Sequence, residues 1–408
     1  MKNSKHYGTV MFSLINITYF MAFCVIHAFA AVYLLDKGFS NKSVGVFLAV
    51  ANILSALFQP VIASLIDKYV KITNRACSLI SAIIIAAGSG VLLVTSSNRV
   101  VVFIVFSIIY MIQFTYMPIL TALSFEYQKK GCNIFFGLAR GLGSAGFAVT
   151  SMFIGTLVEN KGVDCLLVAA ILIMAAHVAL LYIFKEPTAE EIPDSCTDDA
   201  VSDEVVSESD SPAEPLSLPA FIRKYPVFLI LLIATTLLFF THNMLNDYLI
   251  QIIRNIGGSE SNLGYATFIA ALLELPTMAV VSVVSKKVRM TRLLILSGVF
   301  FTIKSIIMLL ATGMFMVYLS QAMQMFAYAV FIPASAYYVS ETISQSDQVK
   351  GQALITSCFT LAGVFSGLIC GAILDSSGVK PMLITGVAIS VAGTLTIIFA
   401  MHKSDKNA

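Results

Sequence analysis

Twelve apolar runs of about 20 residues, broken by short polar stretches, constrain this chain more than any other feature. They fall at 10–35, 43–66, 76–96, 100–124, 136–158 and 163–184, and then at 226–252, 261–285, 291–313, 314–340, 350–374 and 380–401. A run of that length matches the ~30 Å hydrocarbon core of a bilayer when it is helical. Inside the bilayer no water serves the backbone, so a helix that bonds its own N–H and C=O groups is the form such a run can take. Composition agrees. The chain is 58% hydrophobic and 12% charged, where a soluble domain carries about 25% charged residues. The fold class predicted is all-α integral membrane. Residues 1–10 are short and polar and show no cleavable leader pattern.

The runs divide six and six around residues 186–222. That segment holds eleven acidic residues, no basic ones and five prolines. It has too little apolar surface to offset the entropy of ordering, so it reads as a disordered tether. The predicted organisation is a six-helix bundle at 1–185, an acidic linker at 186–222 and a second six-helix bundle at 223–408. Lysine and arginine give the orientation. With the N-terminus in the cytoplasm, seventeen of them fall in cytoplasmic segments and six outside. Both termini and the linker are therefore expected to be cytoplasmic, in a multi-pass protein of the plasma membrane.

The halves repeat each other. The fifth run ends GTLVENKGV (155–163) and the eleventh GAILDSSGV (371–379). Pro118 and Glu126 end the fourth run with the same gap of eight as Pro333 and Glu341 in the tenth. GFSNKSVG (38–45) follows the first run and GGSESNLG (257–264) the seventh. Both halves start on the same side, so the repeats are parallel, related by an axis along the membrane normal. Such a pair places a site between the halves near the midplane and exposes it to each side in turn.

The polar residues inside the runs are the candidates for chemistry. Glu274 lies in the middle of the eighth run, two residues before Pro276. A charge at that depth costs about 2.5–3.5 kcal/mol unless it is paired or faces water. It can carry a proton or bind a solute, or it can be permanently paired with Lys304, which lies deep in the ninth run. A pair made and broken by protonation would couple proton movement to transport. The seventh run carries THNMLNDYLIQ (241–251). His242 and Asn246 share one helical face there, as Asn243 and Asp247 do, and Asp247 is placed to pair with Arg254 as an outer gate. His27 of the first run lies near the repeat position of His242. Arg140 begins the fifth run beside Gly141, Gly143, Ser144, Ala145 and Gly146, small residues that let helices approach closely. Its fork suits a carboxylate or a sugar diol, or it pairs with Glu126. Tyr116, Phe147 and Tyr328 are assigned to the cavity by helix and depth. Asp67, Lys68, Lys71, Glu126 and Glu341 sit at cytoplasmic helix ends and read as gating residues. The seven cysteines have no paired spacing, so neither a metal site nor a disulfide is expected. No phosphate-cradling loop is visible.

These residues resemble the major facilitator superfamily, above all its lactose permease branch (oligosaccharide:proton symporters) and the phenylpropionate- and nucleoside-transporting relatives. LFQPVIASLIDK (57–68) is similar to that branch's second-helix end, with Ala63, Asp67, Lys68 and Lys71 in a loop pattern where a glycine is usual in place of Ala63. FGLARGLGSAGFAVTSMFIG (136–155) resembles its fifth helix, and 257–287 its eighth-helix neighbourhood. The resemblance implies twelve transmembrane helices in two parallel six-helix repeats, the major facilitator fold. It also implies a substrate-binding role for Arg140. Departures accompany it. Phe147 stands where the permease has its sugar-stacking tryptophan, and the chain has no tryptophan. The essential fourth-helix glutamate falls near Ala122, with Glu126 one turn on. Gln324 and Ala327 replace the tenth-helix histidine and glutamate of the proton relay, and Lys304 replaces the ninth-helix arginine.

The function expected is a secondary transporter that moves a small polar or anionic organic solute (sugar, nucleoside or aromatic acid) by proton-coupled symport and alternating access. The alternatives are proton-coupled efflux of amphipathic drugs and a uniporter. The expected partners are the solute and the bilayer, with no nucleic acid and no cofactor beyond the coupling proton. The chain is expected to act as a monomer and not as an enzyme.

Overall fold

The structure is a computed structural model that describes residues 6–68, 73–95, 97–185, 217–284 and 287–407. Among them every regular element is helical. We number the rods α1 to α12. The first, α1, comprises Tyr7–Phe23, a π-helical turn Cys24–Ala28 and Ala30–Asp36. Then come α2 (Asn41–Lys68), α3 (Asn74–Thr95), α4 (Arg99–Lys129), α5 (Phe136–Lys161) and α6 (Asp164–Ile183). In the second half, α7 comprises Pro226–Asp247 and Leu249–Asn255. It is followed by α8 (Glu260–Val284) and α9 (Met290–Leu309). α10 comprises Met314–Ala322, the 3-10 turn Met323–Met325 and Tyr328–Thr342. α11 (Gln348–Ser377) and α12 (Val379–Asn407) close the chain.

Eleven rods among the described residues are long and apolar enough to cross a membrane. The twelfth, α8, has 25 residues, about 37 Å at 1.5 Å per residue. The predicted spans match these rods in number and order. Several rods run past the predicted ends, because polar residues beyond the bilayer do not stop a helix; α4 continues to Lys129 and α12 to Asn407. The predicted tether lies mostly outside the described residues. Its last residues form a short helix, Leu218–Lys224.

The neighbour pattern of one half recurs in the other. α1 packs on α5 and α6, and α7 on α11 and α12. α3 packs on α4 and α6, and α9 on α10 and α12. The halves meet along two seams, α2 with α11 and α5 with α8. Turns follow the same plan. Gly38 and Gly257 have φ of 79° and 81°, and Gly162 and Gly378 have 82° and 86°, a region that non-glycine residues enter at a cost.

Each seam is clasped near those turns. On one, the Asp375 carboxylate of α11 accepts the backbone N–H of Asn41 (3.0 Å) and of Lys42 (2.8 Å) at the first turn of α2. It also accepts the Asn41 side-chain amide at 3.0 Å. On the other, the Glu159 carboxylate of α5 accepts the Ser261 N–H (3.3 Å) and the Ser259 hydroxyl (2.9 Å) at the start of α8. Asp375 and Glu159 occupy equivalent places in GAILDSSGV and GTLVENKGV. An acid from one half thus meets the positive end of a helix from the other, twice over. Just inside the clasps, any side chain at Gly45 would overlap the Gly367 carbonyl, and any at Gly264 the Ser151 carbonyl. At this clasped end the halves are also joined by hydrogen bonds from Ser151 to the Gly264 carbonyl, from Gln251 to Asn41 and from Ser261 to Thr156.

Candidate functional site between the halves

Three interruptions in otherwise regular helices position the polar residues. α10 breaks between its 3-10 turn and Tyr328, where Ala327 takes φ −85° and ψ −87°. The Ala327 carbonyl accepts the Phe331 N–H at 3.0 Å, which starts the second segment, and also the Ser297 hydroxyl at 2.7 Å. α7 breaks at Tyr248, whose hydroxyl donates to the Gly367 carbonyl at 2.6 Å. α1 carries its π turn at Cys24–Ala28, which holds His27; such turns leave a helix locally misaligned and recur at functional positions.

The break in α10 delivers Gln324 between two charges. Lys304 of α9 is 0% exposed, and its ammonium donates to the Gln324 side-chain carbonyl. The Gln324 amide N–H in turn donates to Glu274 of α8 at 2.8 Å. An ammonium only donates and a carboxylate only accepts, so one orientation of the amide satisfies both. The expectation of a direct Glu274–Lys304 pair is therefore corrected: the two are linked through Gln324. Glu274 is half-buried, and Gln324 and Lys304 are buried. The Thr277 hydroxyl donates to the Leu273 carbonyl at 2.9 Å beside Pro276.

Across the α5–α8 seam stands Arg140. Its guanidinium lies 4.1 Å from the Phe20 ring centroid and donates to Ser144 Oγ at 2.7 Å. It lies within electrostatic reach of Glu274 and of Tyr328, both in the other half. Arg140 does not pair with Glu126, whose carboxylate accepts from Asn74 at 2.9 Å and from Lys130 at 3.0 Å. The arginine keeps hydrogen-bond donors directed to neither, so it can hold an oxygen-rich group.

Histidines and aromatic rings complete both walls. His242 stacks on Tyr328 with centroids 4.8 Å apart and 7° between planes, and its Nε2 meets the Asn246 amide at 3.0 Å. Asn243 donates to the Phe359 carbonyl at 3.3 Å. On the opposite wall, His27 stacks on Phe23 at 4.1 Å and lies against Tyr110 and Phe114. Phe147 is half-buried and packs beside Phe23.

Two further expectations are corrected. Tyr116 does not line a cavity: it is 0% exposed and bonds His177, which also meets the Thr18 hydroxyl at 2.7 Å. Asp247 does not pair with Arg254, which bonds Glu260. Unbroken helix would put residues seven apart on one face, and the break at Tyr248 removes that relation. Of the gating set, Lys71 and the side chain of Asp67 lie outside the described residues. Lys68 and Glu341 are exposed, and Glu126 is held within its own half. Sequence reading missed Asp375 and Glu159, although the repeated motif that contains them was visible. It also missed Tyr110 and His177, which lie in runs where nothing local marks them.

Comparison with known proteins accords with this architecture. Residues 10–384 match the model of the MFS_1 like family. The maltose permease of Geobacillus stearothermophilus is 22% identical over 409 residues, covering 98% of this chain and 95% of that protein. The crystal structure of the nucleoside transporter NupG superposes with a TM-score of 0.76 at 15% identity, covering 97% of this chain and 99% of the other. A bacterial homologue of the human lysosomal transporter Spinster, inward-facing and unoccupied, gives 0.69 at 12% identity, covering 98% and 97%. The chain belongs to the MFS_1 like family, and it is a multi-pass membrane transporter of the major facilitator fold rather than an enzyme.

Proposed function

We infer that the protein moves a sugar- or nucleoside-type solute across the plasma membrane by proton-coupled symport. The observation that carries this reading is Arg140 of one half facing the Glu274–Gln324–Lys304 chain of the other. A solute bound there touches both halves, so its binding can be linked to their rocking. The similarity to a maltose permease and the likeness to a nucleoside transporter support the solute class.

In this reading Glu274 is the proton site. While ionised it holds the Gln324 amide, which holds Lys304. A proton on Glu274 weakens that link and frees the carboxyl group to meet solute hydroxyls. Arg140 supplies the opposing donors, and His242, Asn246 and Tyr328 shape one wall. The clasped end faces outward, both termini face the cytoplasm, and a single chain forms the whole cavity between its own halves.

The test is uptake of radiolabelled maltose and uridine into proteoliposomes with an imposed pH gradient. An outside-acid gradient should raise accumulation of the transported solute at least several-fold. Uptake that ignores the gradient would leave a uniporter. Glu274→Gln should still exchange solute but not accumulate it, and full accumulation by that variant would remove the role given to Glu274.

A further inference from the structure

The short helix Leu218–Lys224 runs straight into α7, because Tyr225 ends the one and caps the other. It therefore lies where a membrane span begins, at the end of α7 opposite the clasps. One of its side chains is turned into the protein. Phe221 is 0% exposed. Its ring meets Phe228 of α7 edge to face at 5.8 Å, and the Lys350 ammonium of α11 stands 5.8 Å from its centroid. Next to it, the Tyr225 hydroxyl accepts the Ser344 N–H at 3.1 Å, in the turn before α11. The helix is thus fixed in one orientation on the C-terminal half.

Its remaining surface is open. Leu218 is 50% exposed and Ile222 42%, and they stand one turn apart on one face. Pro219, Arg223 and Lys224 are exposed as well. At about 100° per residue the exposed side chains follow one another around the helix as Leu218, Ile222, Pro219 and Arg223, an apolar arc with a guanidinium at its edge. The acid of this cluster, Asp347, is buried and faces Lys350 at 3.5 Å, so it leaves the positive edge uncancelled. Apolar side chains beside cations at the end of a span are the pattern of a helix that lies in the headgroup layer, its apolar arc at the acyl boundary and its basic groups among the phosphates.

We propose that Leu218–Lys224 is an interfacial anchor that seats on anionic phospholipid. Leu218, Ile222 and Pro219 enter the acyl boundary, and Arg223 and Lys224 hold the phosphates of the headgroups. The arginine fork takes two phosphate oxygens, and the lysine adds a compact charge. Each basic residue at such a surface favours anionic over neutral lipid by roughly fivefold. Because Phe221 is held between α7 and α11, the seat ties the lipid surface to the C-terminal half, and to the helix whose far end carries Asp375.

The chain has no tryptophan, so Ile222→Trp places a sole indole on the exposed arc. The full-length variant is reconstituted in two matched sets of vesicles that mix phosphatidylcholine with phosphatidylglycerol. In one set the phosphatidylglycerol carries bromine near the head of its acyl chains. In the other an equal mole fraction of phosphatidylcholine does. Brominated phosphatidylglycerol should quench the indole about twofold more strongly than brominated phosphatidylcholine. Adding Arg223→Gln and Lys224→Gln should make the two sets equal. Leu218→Trp, one turn away, repeats the reading with a second, independent reporter. Quenching by neither set would mean that the helix stands off the bilayer. Equal quenching with both cations in place would mean that it makes no choice of headgroup, and a preference that survives their loss would mean that they do not make it. Each of these three results overturns the proposal.

Discussion

Lys304 reaches Glu274 only through Gln324, whose amide accepts from the ammonium and donates to the carboxylate at 2.8 Å. The relation makes a charged pair dependent on a neutral side chain. Gln324→Leu would leave a fully buried ammonium without its acceptor, a change that costs about 3–5 kcal/mol when a buried pair is broken from one side. The variant should melt well below the parent. Adding Lys304→Met should restore most of the loss, because an apolar side chain of similar length needs no partner. Thermal melts of the three proteins in detergent check this. A double variant less stable than Gln324→Leu alone would show that Lys304 is held by something else.

The clasps make a second prediction. Asp375→Asn keeps the side chain's shape but removes its charge and one of its acceptor oxygens at the start of α2. A contact of this kind at a helix N-terminus is worth about 1–2 kcal/mol, a factor of roughly 5–30 in a two-state population. A cysteine placed at Val44, buried just inside the clasp, should therefore react with a maleimide about 5–30-fold faster in the Asp375→Asn background. Glu159→Gln should act the same way on the other seam. An unchanged rate would mean that the clasps do not hold the closed end.

Gly45 and Gly162 should respond differently, although both are glycines. At Gly45 a side chain overlaps the Gly367 carbonyl across the seam, so Gly45→Val should lower uptake at least tenfold by keeping the clasped end apart. At Gly162 the space is open and only the backbone is special, with φ at 82°. Gly162→Ala should cost about 1–2 kcal/mol of stability and leave initial uptake rates within twofold. Paired uptake and melting measurements separate the two cases.

Much of this was legible in the sequence. The apolar runs specify the helices, because length and continuity are what the bilayer demands. The repeated GxxxxxxG and acid-containing motifs predict two like halves, and they turned out to be the clasp. Depth along a helix could also be read, and on that ground Glu274, Lys304 and Arg140 were singled out. Direction around a helix could not be read once a helix was interrupted. The break at Ala327 turns Gln324 between Lys304 and Glu274, and the break at Tyr248 takes Arg254 away from Asp247. Tyr116 was assigned by depth alone, and it points into its own bundle.

That position gives a fourth prediction. Tyr116 bonds His177 in a sealed part of the N-terminal half. Tyr116→Phe removes the hydroxyl and leaves the imidazole nitrogen unsatisfied, at a cost of about 1–3 kcal/mol. The melting temperature should fall while the affinity for solute stays within twofold. A large loss of affinity would return Tyr116 to the cavity wall.

The two clasps also bear on what makes this one molecule. Each half contributes an acid and receives one, so the register between the halves is specified by non-covalent groups at both seams, whatever peptide joins them. Covalent continuity through residues 186–216 is then dispensable for assembly. The halves, produced together as two separate polypeptides, should find each other in the membrane and co-purify as a working pair.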